Sequence, residues 1–298
     1  MKLGTSTEIL GRRFGESEAV CMIARAGFDG VDWDFSGMEF DDNPWNAGNW
    51  RDYAVRMREL AEKNGLSILQ AHAPYPTSKG QEPYDSVVLK RIVRSIEAAS
   101  ILGAKCIVVH PMKHLNYVKY REYLFEKNLE LYMSLIPYCK KWGIQVCVEN
   151  MYEKDRYTDA IVNSGCGMPE EFCAMLDALD SPWIVGCLDI GHAALVGVDP
   201  ADAIRMLGRD RLQALHVHDV DYFTDGHTLP FMEKLDWDSI ITALADIGYR
   251  GEFVFEADKF FRNFPGELCP DALCLMEKTG RYLMGEIQRK SSGVIHSF

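Results

Sequence analysis

Trp183-Ile184-Val185-Gly186-Cys187-Leu188-Asp189-Ile190-Gly191-His192 decides how the whole chain is read. An apolar run ends in a carboxylate, a glycine and an imidazole, the pattern of a buried strand that delivers two metal-type ligands where it enters a loop. A plainer reading is a strand end with a solvated aspartate and a histidine at the start of a helix. The first is favoured because strands elsewhere in the chain end in the same way.

Working outward, residues 3–6, 28–33, 66–72, 105–110, 144–149, 183–189, 212–218 and 252–256 read as strands. Residues 16–26, 53–63, 86–102, 117–142, 169–179, 200–207, 237–247 and 271–289 carry apolar residues at helical spacing. Gly27, Gly65 and Gly143 end helices, and Pro169 opens one. Eight strand-helix units therefore follow one another with no Pro/Gly/Ser linker between them. The expected fold is a single α/β domain over residues 1–298, a (β/α)8 TIM barrel, with residues 290–298 as a loosely packed tail. The alternative, a doubly wound open sheet, would want a glycine-rich phosphate loop after an early strand, and neither a GxGxxG nor a Walker pattern is present.

In a barrel the C-terminal ends of all strands converge on one face. The residues closing the last six strands are His72, His110, Glu149, Asp189, His218 and Glu256. Three carboxylates and three imidazoles would thus meet around one small volume. Unpaired buried carboxylates repel and lose hydration, so a bound cation is the simplest way to stabilise them. Nitrogen and oxygen ligands without thiolates suit one divalent ion of Mn, Mg, Co or Zn, and nothing in the sequence selects among these.

The composition narrows the function classes. With 298 residues, 47% of them hydrophobic and 26% charged, there is material for a large core and no signature of disorder. The formal net charge of −12 argues against a nucleic-acid partner, which requires Lys and Arg against phosphate. The first residues lack a signal peptide's apolar stretch, and no run reaches membrane-span length, so no membrane partner is expected. Nine scattered cysteines without a CxxC pair suggest reduced thiols and a cytoplasmic location, with Cys147 and Cys187 in the core. Whether the chain forms a homo-oligomer is left open.

At the level of motifs the chain resembles the xylose isomerase-like TIM-barrel superfamily, which includes ketose 3-epimerases, hydroxypyruvate isomerase, inosose dehydratase and endonuclease IV-type enzymes. The likeness is carried by His72-Ala-Pro-Tyr75, Val109-His110-Pro111, Val148-Glu149-Asn150, Leu188-Asp189-Ile190-Gly191-His192, His216-Val-His218-Asp-Val-Asp221, Asp225-Gly-His227 and Phe255-Glu256. It covers nearly the whole chain and is specific for the superfamily rather than for one member. The resemblance implies Glu149, Asp189, His218 and Glu256 as metal ligands, Glu149 and Glu256 as the proton-transferring pair, and His192 near substrate. The activity it implies is isomerisation or epimerisation of a small sugar or keto-sugar through an enediolate. A lyase or dehydratase on the same scaffold is the nearest alternative, an endonuclease IV-type phosphodiester hydrolase is third, and a non-catalytic sugar-binding or partner subunit is more distant.

Some positions depart from the family or stay open. Ketose 3-epimerases usually carry an Arg six residues after the metal histidine, where this chain has Thr224. His72, His110, Asp225 and His227 match further ligand positions of the three-metal endonuclease pattern, or else contact substrate. His216 precedes His218 by two, so strand alternation points both inward. His218 is favoured because the family places its ligand three before an Asp, here Asp221. Trp33, with Phe35 and Trp45, forms either an apolar wall for a sugar ring or a packed loop. Residues 150–168 read as a polar lid, with Asn150 serving turn chemistry. Lys113 and Arg156 are the nearest phosphate contacts, but neither sits in a phosphate-cradling motif, so a non-phosphorylated substrate is expected. His114 and His296 receive no role.

Overall fold

The computed structural model describes residues 1–155 and 157–293. Eight parallel strands form the barrel: β1 (Leu3–Ser6), β2 (Gly30–Asp34), β3 (Ser67–His72), β4 (Cys106–Val109), β5 (Gln145–Glu149), β8 (Ile184–Asp189), β9 (Leu212–His216) and β10 (Phe253–Phe255). The sheet order β10-β1-β2-β3-β4-β5-β8-β9 follows the chain around the ring. The last gap is bridged where Val217 N–H donates to the Val254 carbonyl at 2.9 Å and Glu256 N–H to the Val217 carbonyl at 3.1 Å. The barrel is nearly closed, as the strand-helix alternation requires.

The surrounding helices are α2 (Glu16–Ala26), α3 (Trp50–Lys63), α4 (Tyr84–Leu102), α5 (Tyr117–Trp142), α6 (Pro169–Leu179), α8 (Pro200–Arg211), α9 (Trp237–Asp246) and α10 (Cys269–Ser291). Each lays an apolar stripe on the sheet, as in α9, where Trp237, Ile240, Ile241 and Leu244 are buried. Gly143 takes φ 66° and lets its N–H cap the Cys139 carbonyl, which ends α5 where its sequence position suggests. Inside the barrel, Cys106, Val108, Cys147, Val185, Cys187 and Ala214 fill a small apolar plug. Cys147 and Cys187 are fully buried free thiols.

Three local elements are not apparent from periodicity. α1 (Glu8–Phe14) follows β1 directly, too short for its apolar spacing to stand out. α7 (Ile190–Leu195) starts immediately after Asp189, whose carboxylate caps it by accepting the His192 N–H at 2.6 Å. The strand-end stretch is therefore also a helix start, as the plainer of its two readings has it, but Asp189 is fully buried rather than solvated. The expected lid segment contains an antiparallel hairpin, β6 (Tyr152–Lys154) with β7 (Ile161–Asn163). Among the described residues no helix is long and apolar enough to cross a membrane.

Candidate functional site

β5, β8 and β9 each end on a polar residue, Glu149, Asp189 and His216, and Glu256 follows the last residue of β10. These strands are neighbours on one arc of the barrel. One ligand atom from each of Glu149, Asp189, His216 and Glu256 lies within 4.8 Å of all the others. His216 Nδ1 stands 3.1 Å from Glu149 Oε1 and 3.3 Å from Glu256 Oε2. On its other side, His216 Nε2 lies 3.3 Å from Asp32, which accepts from Gln70 Nε2 at 2.9 Å. Sequence reasoning favours His218 for this place. Both histidines do point inward, but His218 lies beyond the strand end, with Nε2 2.9 Å from Asp189 Oδ1 and its ring stacked on His227 at 4.0 Å. The spacing signal was degenerate, because His216 also stands three residues before an aspartate, Asp219.

The electrostatics suit a cation. Burial opposes the charge on Glu149, yet His216 and His110 outweigh it and hold this carboxyl well below the usual range. At Asp189, too, burial is outweighed, here by His192 and His218. At Glu256 burial prevails, with Glu149 and Asp189 adding to it against His216 and His227, and the carboxyl is pushed up to about 8. Among the described residues no Lys or Arg forms an ion pair with Glu149, Asp189 or Glu256; the basic groups within 4.0 Å of them are all imidazoles. Three converging carboxylates and one imidazole nitrogen fit a divalent ion.

Two further groups flank this one. His72 Nε2 and His110 Nε2 lie 3.0 Å apart, and His110 Nε2 is 2.9 Å from Glu149 Oε2. Burial disfavours charge on both rings; Glu149 overcomes it at His72, raised to about 9, but not at His110, lowered to about 4. On the other side, His192, His218, Asp225 and His227 form a group, with His227 Nε2 3.0 Å from Asp225 Oδ1. Gly191 allows this close approach, since a Cβ there would fall 2.0 Å from His218 Cε1 and the ring would have to shift. Asn150 joins the strands rather than making a turn: its Oδ1 accepts the Asp189 N–H at 2.7 Å and its Nδ2 donates to the Asp189 carbonyl at 2.9 Å.

A cavity of about 250 Å³ at the barrel mouth is lined by His72, His110, Glu149, His192, Asp225, His227 and Glu256. Glu8 and Arg12 of α1, Tyr75, Asp258, Lys259 and Arg262 also line it; sequence reasoning quoted Tyr75 only as part of a motif and missed the other five. Glu8 and Arg12 stand four apart, a helical spacing that could have pointed to them, and they pair at 2.8 Å. Trp33 does not reach this cavity. It is fully buried against Trp45, edge to face at 5.8 Å, so the aromatic segment is a packed loop. Thr224 is exposed in the loop after β9, and the cation on that side is Lys259, 3.0 Å from Asp225. Arg156 and His296 lie outside the described residues. A wider cleft of about 760 Å³ at the opposite end of the barrel, by Gln145, Ile184 and Gln213, contains none of the histidines.

A family model described as a xylose isomerase-like TIM barrel matches residues 22–267. An uncharacterized protein of Sinorhizobium fredii, y4fM, is 27% identical over 164 residues, 54% of this chain and 50% of that protein. A probable endonuclease 4 of Bacillus licheniformis is 28% identical over 175 residues, 54% of this chain and 55% of that protein. The chain thus spans about half the length of these two curated relatives. Among solved structures, a D-tagatose 3-epimerase-like protein superposes with a TM-score of 0.75 at 18% identity, covering 99% of this chain and 100% of that one. At that identity the superposition shows a shared fold.

Proposed function

The chain belongs to the xylose isomerase-like TIM barrel family, and from its strand-end cluster we propose that it is a divalent-metal-dependent isomerase or epimerase acting on a small sugar or keto-sugar. One observation carries this reading: Glu149 and Glu256 reach the same imidazole nitrogen of His216, at 3.1 and 3.3 Å, from strands on different sides of a cavity of monosaccharide size. The fold shared with a D-tagatose 3-epimerase-like protein supports it.

In this proposal Glu149, Asp189, His216 and Glu256 hold the ion. When bound, a divalent cation supplies Lewis acidity that polarises a ketone and its neighbouring hydroxyl. One of the two glutamates removes the proton from the carbon between them, and the other returns a proton to the same carbon or its neighbour. Glu256, just past the end of β10 and lining the cavity on a different side from the Glu149 strand, suits the second of these proton-transfer roles. His216 keeps both carboxylates oriented while Asp32 fixes the ring from behind. Asn150 ties the Glu149 strand to Asp189, so the two carboxylates move together. Expulsion of a β-leaving group from the same carbanion would make a lyase, with the same residues in the first step.

The test is deuterium incorporation from D2O into ketoses by metal-loaded protein. Incorporation at the carbon next to the carbonyl, abolished in both Glu149→Gln and Glu256→Gln, is expected. Exchange that survives either substitution removes this proton-transfer scheme.

A second reading, phosphodiester hydrolysis, is favoured by the two flanking ligand groups and by the probable endonuclease 4 among the relatives. The net charge of −12 opposes a DNA substrate. Elemental analysis separates the two, since hydrolysis of this type would call for about three ions per chain against about one for the sugar reading.

A further inference from the structure

Lys113 lies in the loop between β4 and α5 and lines both the barrel-mouth cavity and a polar cleft of about 380 Å³ beside it. Tyr152 of the hairpin is the other side chain common to both at this junction. Lys113 Nζ donates to the Tyr152 carbonyl at 3.2 Å and sits 5.6 Å from the Tyr152 ring. No carboxylate among the described residues is within ion-pair distance of it, although Glu149, Glu153 and Asp225 attract it from further away. Of the other cations lining the cavity, Arg12 pairs with Glu8 at 2.8 Å and donates to Ser36 at 3.0 Å, Lys259 pairs with Asp225 at 3.0 Å, and Arg262 is exposed at the rim.

An ammonium offers three donors. Here one is used, and the side chain is half-buried, so its charge is partly desolvated with no counterion at contact. Burial pulls this ammonium below the ordinary lysine range. A neutral hydroxyl arriving from substrate would satisfy a donor and leave the charge uncompensated. A carboxylate or phosphate oxygen would do both, and lysine binds such groups as a point charge without any cradle motif. That is why the sequence, which lacks such a motif, pointed to a non-phosphorylated substrate.

We propose that Lys113, at the junction of cavity and cleft, is a subsite for an oxyanion, and that the sugar this site takes carries a carboxylate or a phosphate at the end that meets Lys113. The inference rests on the sugar reading for the class of molecule offered, while the binding site itself stands on the Lys113 geometry.

The experiment is calorimetric binding to metal-loaded protein of three ketoses: D-fructose, 2-keto-D-gluconate and D-fructose 6-phosphate. Wild type, Lys113→Gln and Lys113→Arg are compared, each first checked by thermal melting. At least one anionic ketose should bind wild type about 10-fold or more tightly than D-fructose. That ratio should fall to about 1 in Lys113→Gln and be largely kept in Lys113→Arg, which retains the charge. Which anion gains the advantage identifies carboxylate or phosphate. A wild-type ratio near 1, a ratio unchanged in Lys113→Gln, or no binding of any ketose overturns the proposal. Deuterium exchange on the same samples keeps the two ideas apart. Lys113-dependent binding without exchange leaves the subsite standing and removes the isomerase reading, whereas equal exchange into neutral and anionic ketoses does the reverse.

Discussion

Asp219 should be the polar residue whose loss most damages the loop over the site. It is fully buried. Its Oδ1 accepts the N–H groups of Val220 at 2.9 Å and Leu235 at 3.1 Å. Its Oδ2 accepts Phe231 N–H at 3.0 Å, Glu233 N–H at 3.2 Å and Trp237 Nε1 at 3.0 Å. One carboxylate thus closes the loop from β9 to α9, the loop that carries Asp225 and His227. In Asp219→Asn the amide NH2 must replace one oxygen and face two or three donors. The exposed loop donors can turn to water, but the Trp237 indole and the Leu235 amide are buried. These two sit on different oxygens, so the single NH2 orphans only one of them, a loss of about 1–3 kcal/mol. Urea denaturation of both proteins, with equal slopes, measures it, and hydrogen exchange should show residues 220–235 opening more readily than the barrel strands. A loss below about 0.5 kcal/mol, or uniform exchange across the chain, would refute the assignment of this loop's order to Asp219.

Further outcomes follow from the same geometry. If His216 is the ligand and His218 braces Asp189, His216→Gln should weaken metal binding more than about 100-fold and His218→Gln about 10-fold; chelator competition measures both, and the reverse order would assign His218 as the ligand. Gly191→Ala gains about 1 kcal/mol of helix propensity but sets a methyl against the stacked His218 ring, so a net loss of about 1–2 kcal/mol in thermal melting is expected, and a stabilised variant would contradict the close approach. Asp29 accepts from Arg281 at 2.6 and 2.9 Å and from Leu3 N–H at 2.8 Å, and the Arg281 contact holds its carboxyl below the usual 3.8. Because the folded value is the lower one, this contribution is complete above about pH 4 and is lost as pH falls through the folded value. Asp29→Asn should therefore cost about 1 kcal/mol at pH 7, allowing for solvent screening, and progressively less as pH falls below about 4; a cost independent of pH would count against the ion pair.

Much of the fold was legible because it depends on patterns that repeat along the chain. Each strand-helix unit carries its own apolar run, helical stripe and stop signal, so eight of them imply a ring without knowledge of any long-range contact. The short elements were not legible: α1 and α7 have too few turns for periodicity, and the β6–β7 hairpin is made of partly exposed three-residue strands.

The site divides along the same line. That Glu149, Asp189 and Glu256 meet was readable, since strand ends of a parallel barrel must converge. Whether His216 or His218 completes the group was not, because alternation points both the same way and an aspartate follows three residues after each. Only height along the barrel axis separates them, and that is set by the closure of β9 against β10 through Val217. Similarly, the sequence by itself determined that Lys113 lies near a strand end, whereas its having no carboxylate at ion-pair distance among the described residues depends on where Glu149, Asp225 and Tyr152 stand, residues far away in the chain. Local pattern is fixed by backbone periodicity, but a side chain's partners are fixed by the three-dimensional packing of all the others.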